Sequence, residues 1–483
     1  MINFKQIARV LAVLQMLIGG LMLTALPFSF YYGSNDEMAF IKSVGVCWLA
    51  GMVFYFFSKT EDQSLNKREG YLIVALGWLT MVTFGTLPYL FSGEMGTVTN
   101  AFFETMSGMT TTGATVLTDI EVVPKGILFW RSMTQWIGGM GIIVLTVAIF
   151  PLLGIGGIEL FSAEAPGPTS DKIHPRIQET AKRLWLIYVS LTAVLMVILK
   201  LAGMSFYDAI NHALTTMATG GFSTKNASMA AYDTPAIQYP IILFMFLAGT
   251  NYTVTYLAIK GKFEKVWKND EFKFYLFIVM ALGMVVSLAV YYATDQGFEK
   301  SFRDSLFQIV SVMTTTGYVS ADYTAWRNWL TMLFFMLLFV GASAGSTSGG
   351  IKLIRHLVFL KNSVLEFKRL VHPRAILPLK LNGRVVAPRI MTHIIIFLLV
   401  YLFWFVVGSV IMSMMGYDFM TSVGSVATSL GNVGPAIGKV GPVDNFAWLS
   451  DGAKWFLSFL MLLGRLELFT ILVLMSPYFW KTN

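Results

Sequence analysis

Four short runs of this 483-residue chain share one pattern of small, hydroxylated and glycine residues: MSGMTTTGATV at 106–116, LTTMATGGFST at 214–224, VSVMTTTGYVS at 310–320 and VATSLGNVGPA at 426–436. Aligned on Gly113, Gly220, Gly317 and Gly431, they nominate four windows: Thr111 and Thr112 with Gly113, Ala218 and Thr219 with Gly220, Thr315 and Thr316 with Gly317, and Leu430, Gly431 and Asn432. None of these residues is an acid, a base or a strong nucleophile; what they offer is oxygen. A dehydrated potassium ion needs its water shell replaced by oxygens, and rings of backbone carbonyls supply them. Successive carbonyls turn to one side only where residues take positive φ, which glycine does without steric penalty. Threonine hydroxyls add oxygens or brace the turn. One Thr-Gly pair is an ordinary helix end, but four in register, roughly 100 residues apart, mark a duplicated unit. Leu430 stands where the other units have threonine, so strict fourfold symmetry is not expected.

A second constellation interrupts an apolar run of the third unit, where WLTMLFFMLLFV (329–340) gives way to GASAGSTSGGIK (341–352). Twelve helical residues rise about 18 Å, which places the interruption near the middle of a bilayer and below the ring. Gly341, Gly345 and Gly349 have the spacing of close helix packing. Ser346, Thr347 and Ser348 among them favour a flexible intramembrane gate. A phosphate loop is excluded because no Gly-Lys-Ser/Thr follows, and GIGG at 154–157 has no strand before it. The third feature is Arg465, in LLGRLELFTILVL. A charge there costs about 2.5–3.5 kcal/mol on insertion scales, so it needs a partner or a purpose. Glu467 or Glu104 could pair with it; alternatively it is a positive barrier in the cation path, acting with the loop at 341–350. The five histidines show no metal-ligand spacing, and His212 reads as a hydrogen-bonded structural residue. Cys47, the single cysteine, reads as a small core residue.

These oxygens need rigid supports. The chain is 55% apolar and 13% charged, with a mean hydropathy of +0.65, so lipid is the expected solvent. Ten apolar runs of about 20 residues recur from end to end, each long enough to span a bilayer. The first, after Lys5 and Arg9, has no signal-type cleavage site and reads as a retained span. Asn100, Asp208, Asp304 and Asp418 precede the four glycine runs as expected helix starts. Helices of two or three turns cannot span, so they enter and return from one side. The net charge of +8 is concentrated in alternate loops, which puts both termini in the cytoplasm. It forms no basic stripe for nucleic acid, and no catalytic constellation suggests an enzyme. The expected fold is an all-α polytopic membrane protein: an N-terminal two-helix hairpin (1–66) and four pseudo-symmetric helix–pore-loop–helix repeats around a central pore. The repeats are 67–160, 161–266, 267–372 with the intramembrane loop, and 373–483.

With SGMTTTGAT, FWRSMTQWIGGMGIIVL (129–145), TTMATGGFST, VMTTTGY, SLGNVGPA and GRLELFTILVL in place, the chain resembles the TrkH branch of the Trk/Ktr/HKT superfamily of potassium transporters over essentially its whole length. The resemblance implies a single-chain pseudo-tetrameric pore in a bacterial inner-membrane homodimer. It implies filter glycines at Gly113, Gly220, Gly317 and Gly431, a gating loop at 341–350 and a pore arginine at Arg465. Glycine at the first filter position goes with potassium, and also rubidium, where serine goes with sodium passage. No covalently bound cofactor is implied; potassium is cargo. A cytoplasmic partner with nucleotide-binding RCK domains, TrkA, is expected to control the gate. Proton- or sodium-coupled potassium symport is the alternative.

Overall fold

Helices form wherever an apolar run is long enough to satisfy its own backbone in a solvent that offers no hydrogen bonds. In the computed structural model, which describes residues 2–58, 66–139, 141 and 177–481, six helices have the length and apolarity to cross a membrane. They are Phe4–Tyr32, Glu37–Phe57, Arg68–Ser92, Ala181–Leu201, Asp270–Tyr291 and Pro388–Met414. Two further spans are broken, Pro235–Ala248 with Tyr252–Ile259 at 111° and Asp451–Arg465 with Phe469–Met475 at 113°. The remaining two expected spans are Lys125–Gly139, whose continuation lies outside the described residues, and Asn328–Leu337, followed by irregular backbone up to Leu353–Val371. GIGG, His174 and the basic residues within 59–65 and 154–176 also lie outside the described residues. Phe57, Leu201, Phe277, Leu399 and Phe403 are exposed on these helices, an apolar exterior suited to hydrocarbon.

The first two helices form the expected hairpin. They approach closely: a Cβ at Gly51 would lie 2.5 Å from Met16 Cγ. Cys47 is fully buried in their seam, where its carbonyl accepts a hydrogen bond from Gln15 Nε2 at 3.1 Å.

Four short helices, Val98–Met109, Phe206–Met217, Phe298–Met313 and Phe419–Gly431, carry the glycine runs at their C-terminal ends. Each packs on the long helix that precedes it. Their starts differ from the sequence reading. Asp418 does cap its helix, accepting the Thr421 amide. The first two helices are instead capped by Thr97 and Ser205, which accept the amides of Asn100 and Asp208. A cap hydroxyl bonds the third helical amide, so Asn100 and Asp208 sit one turn inside. The third helix begins after Gly297 without a side-chain cap, which leaves Asp304 in its interior.

Candidate ion pathway

Backbone hydrogen bonds set the register of the four loops. The Thr112 amide donates to Ser107 O at 2.8 Å, Gly220 to Thr215 O at 2.9 Å, Thr316 to Ser311 O at 2.8 Å and Val433 to Thr428 O at 3.1 Å. The residue before each, Thr111, Thr219, Thr315 and Asn432, has φ of 54°, 53°, 54° and 52°. The residue after each, Gly113, Gly221, Gly317 and Gly434, has φ of 82°, 77°, 77° and 102°. Equivalent windows are therefore 111–113, 219–221, 315–317 and 432–434. The glycine alignment slips in units two and four: Ala218 is the C-cap residue of its short helix, Leu430 and Gly431 are its last residues in unit four, and Gly221, Val433 and Gly434 were missed. Leu430 is thus not the counterpart of Thr112; Val433 is. In units one and three the hydroxyl of the third threonine pairs with the first, Thr110–Thr112 at 2.8 Å and Thr314–Thr316 at 2.7 Å. Those hydroxyls brace the turn.

The four windows close on one another in chain order. A Cβ added at Gly113 would lie 2.3 Å from Gly220 O, at Gly221 1.9 Å from Thr316 O, at Gly317 1.9 Å from Val433 O, and at Gly434 2.7 Å from Thr112 O. Each glycine thus abuts the neighbouring unit's carbonyl, and the fourth returns to the first. Only glycine combines this approach with a left-handed φ.

Beneath the ring sits the loop between Asn328–Leu337 and Leu353–Val371. Its neck is closed by Gly341 N to Ile351 O at 2.9 Å and Leu353 N to Ala342 O at 3.0 Å. Its flank is held by Ser343 N to Gly249 O at 3.0 Å, Tyr252 N to Gly345 O at 3.1 Å and Ala344 N to Glu271 Oε1 at 2.7 Å. Thr347 Oγ1 donates to Met217 O at 3.1 Å and lies 3.3 Å from Thr219 Oγ1. Gly349 N donates to Thr315 Oγ1 at 2.7 Å, and a Cβ at Gly349 would lie 2.7 Å from Asn432 Cβ. Ser346 bonds within the loop, to Ser343 O and Ser348 Oγ.

Arg465 completes the set. Its Nη1 donates to Thr111 Oγ1 at 3.0 Å and to Thr347 O at 2.9 Å, while Nη2 donates to Gly138 O and to Gly139 O at 2.9 Å. The loop and Arg465 together touch the left-handed residue of every unit: Thr111, Thr219, Thr315 and Asn432. The two carboxylates considered for Arg465 are engaged elsewhere. Glu104 pairs with Arg131 at 2.6 Å, and Glu467 pairs with Arg355. His212 bonds Asp208 O at 2.8 Å and Ser223 Oγ at 2.9 Å, behind the second window.

The broken helix is not confined to unit three. The bend after Ala248 falls at Gly249–Asn251, where the loop docks, and the bend after Arg465 falls at Glu467 and Leu468, with φ of 53° and 55°. The chain of "FMFLAGTNYTVTY" looked continuous in sequence because Gly249 and Asn251 are single residues in an apolar run.

Membrane-length helices surrounding four short helices, whose C-terminal loops meet glycine to carbonyl in one closed circuit, define a polytopic membrane protein. The chain belongs to the TrkH family, described as cation transport proteins, whose profile matches residues 36–481. It is 40% identical over 484 residues to the Trk system potassium uptake protein TrkH of Salmonella typhimurium, with 99% of this chain and 100% of the relative covered. It is 34% identical to the Trk system potassium uptake protein TrkG of Escherichia coli, over 95% of each chain. The crystal structure of the potassium transporter TrkH from Vibrio parahaemolyticus matches with a TM-score of 0.88 at 38% identity, over 99% of this chain and 100% of that one.

Proposed function

We propose that this chain takes up potassium across the bacterial inner membrane, with the backbone carbonyls of windows 111–113, 219–221, 315–317 and 432–434 replacing the ion's water. The observation that carries this reading is the closed ring, in which each glycine abuts the next unit's carbonyl. Oxygens on backbone, without carboxylates, suit a weakly hydrated monovalent ion. The loop at 341–350 and Arg465 form the gate, since together they bridge all four windows from below. A cytoplasmic TrkA-type RCK subunit releases it, the protein works as a homodimer, and both termini face the cytoplasm, where the basic loops lie. The potassium-uptake names of the relatives agree with this reading. The test is rubidium uptake by purified protein in liposomes. Uptake that potassium but not sodium competes away, with no proton or sodium gradient applied, is expected; unselective uptake overturns the reading, and a strict need for a second gradient replaces it with symport.

A further inference from the structure

The four seams of the ring are not equivalent, and the seam between units one and two holds a side chain on the ring itself. Helix Lys125–Gly139 buries nearly its whole length. From it, Gln135 Nε2 donates to Gly220 O at 2.6 Å, and Gln135 Oε1 accepts the Phe222 amide at 3.0 Å. One planar amide thus grips both sides of the second window. Gly220 is glycine for this reason: a Cβ there would lie 2.3 Å from Gln135 Cδ and 2.4 Å from its Oε1. Gly220 is absent from the positive-φ residues, so its backbone does not demand glycine. In the TGG of unit two, the first glycine admits Gln135 and the second abuts the neighbouring carbonyl.

One turn earlier on the same face, Arg131 holds the next stretch of that strand. Its Nη1 donates to Ser223 O at 3.0 Å and its guanidinium carbon lies 3.5 Å from the centre of the Phe222 ring. Arg131 is fixed by Glu104, which also accepts from Thr115 Oγ1 and Val116 N, both at 2.8 Å, just past the first window. A buried pair with both partners hydrogen-bonded favours a unique geometry over raw stability.

Gly220 O occupies the layer shared with Thr112 O, Thr316 O and Val433 O. Of these four carbonyls, only Gly220 O receives a hydrogen bond from the described residues. The other seams are tied away from that layer: Tyr318 to Thr215 Oγ1, Tyr323 to Ala436 O, and Asn432 Nδ2 to Thr112 Oγ1. A donor on a carbonyl draws its electron density toward the proton and fixes its direction. Ion discrimination depends on carbonyl position and field strength, and Gln135 acts on both.

We propose that Gln135 is a specificity-determining positioning residue: its amide weakens and immobilises one of four carbonyls in a ring layer, biasing that layer toward larger, weakly hydrated cations. This rests on the reading of the ring as the filter. Without the donor, the Gly220 carbonyl is freer and of higher field, which favours sodium.

The test uses the purified full-length protein in liposomes, with rubidium uptake competed by potassium or sodium, and the KM and maximal rate for potassium read separately. Gln135→Met loses the donor with little change of length; Gln135→Leu loses it in a shorter side chain. Each is expected to lower potassium-over-sodium discrimination about tenfold, the scale of one hydrogen bond. Wild-type discrimination in folded variants overturns the proposal. Should those variants fail to fold, the contact pair decides. Gly220→Ala alone is expected to lose uptake, whereas Gly220→Ala with Gln135→Ala regains uptake with reduced discrimination; no recovery, or recovery with full discrimination, overturns it. Gly113→Ser in the same assay separates the two readings. If it loses uptake or shifts discrimination and the Gln135 variants keep wild-type discrimination, only the role of Gln135 fails; if it too changes nothing, the filter reading fails.

Discussion

At the scale of single residues, the ring depends on glycines whose neighbours are carbonyl oxygens. Gly221→Ala adds a Cβ at 1.9 Å from Thr316 O at a φ of 77°, and the left-handed backbone alone costs about 1–2 kcal/mol for an alanine. Gly416, with φ of 93° and nothing near its missing Cβ, isolates the backbone term. Rubidium uptake should fall by at least about tenfold in Gly221→Ala and stay near wild type in Gly416→Ala; equal uptake by the two would place Gly221 outside the ring. That glycine was hidden in the sequence because residue types alone cannot tell where a short helix stops. Thr219-Gly220 matches Thr112-Gly113 letter for letter, yet the helix-end hydrogen bonds pair Gly220 with Thr112. Arg465, by contrast, announced itself, since a charge inside an apolar run has few explanations. Three of its acceptors were not legible, because they are carbonyls of Gly138, Gly139 and Thr347, which no side chain betrays. Lysine keeps the charge but not the planar fork. If the tether to Thr347 matters, Arg465→Lys should behave like Arg465→Ala and raise basal uptake about tenfold, as loss of a charged hydrogen bond permits. Lysine behaving as wild type would point to a pure charge barrier.

At the scale of elements, the proposed gate is an irregular segment held between two regular ones. Its neck bonds, Gly341 to Ile351 and Leu353 to Ala342, lie outside Ser346–Ser348, so deleting that triplet shortens the tip while leaving the base intact. The tip supplies Thr347, whose hydroxyl reaches Met217 O and Ala248 O and whose carbonyl takes Arg465. Deletion of Ser346–Ser348 should raise uptake measured without a regulatory subunit; a variant that elutes and melts like wild type yet transports no faster removes the loop from gating. The small-residue stretch was readable in sequence because ten residues in a row departed from apolar helix. The bends at Gly249 and Glu467 were not, since each needs only two or three residues. Asn251 was the available signal: its side chain caps the following helix by accepting the Thr253 amide at 2.8 Å, a helix start in mid-run.

At the scale of the whole molecule, units one, two and three are also tied at the rim by charge. Glu121 of unit one pairs with Lys225 of unit two at 2.9 Å. Asp233 of unit two pairs with Arg303 of unit three at 2.9 Å and with Lys300. Hydrogen bonds from Lys225 and from Lys300 hold these two carboxyls below their ordinary values of 4.5 and 3.8. A carboxyl whose folded pKa is depressed adds stability that is complete above its unfolded value and is lost as pH falls through the folded one. Both pairs are partly exposed, so the effect is modest and weakens with salt. The stability contributed by these two pairs should therefore hold between about pH 7 and 5 and decline beneath about pH 4.5, most at low ionic strength. Asp233→Asn should melt lower than wild type at neutral pH, and the two curves should converge on acidification, because the wild-type carboxyl is then neutral as well. Curves that stay parallel down to about pH 3 would mean that Asp233 joins units two and three through its shape and hydrogen bonds rather than its charge.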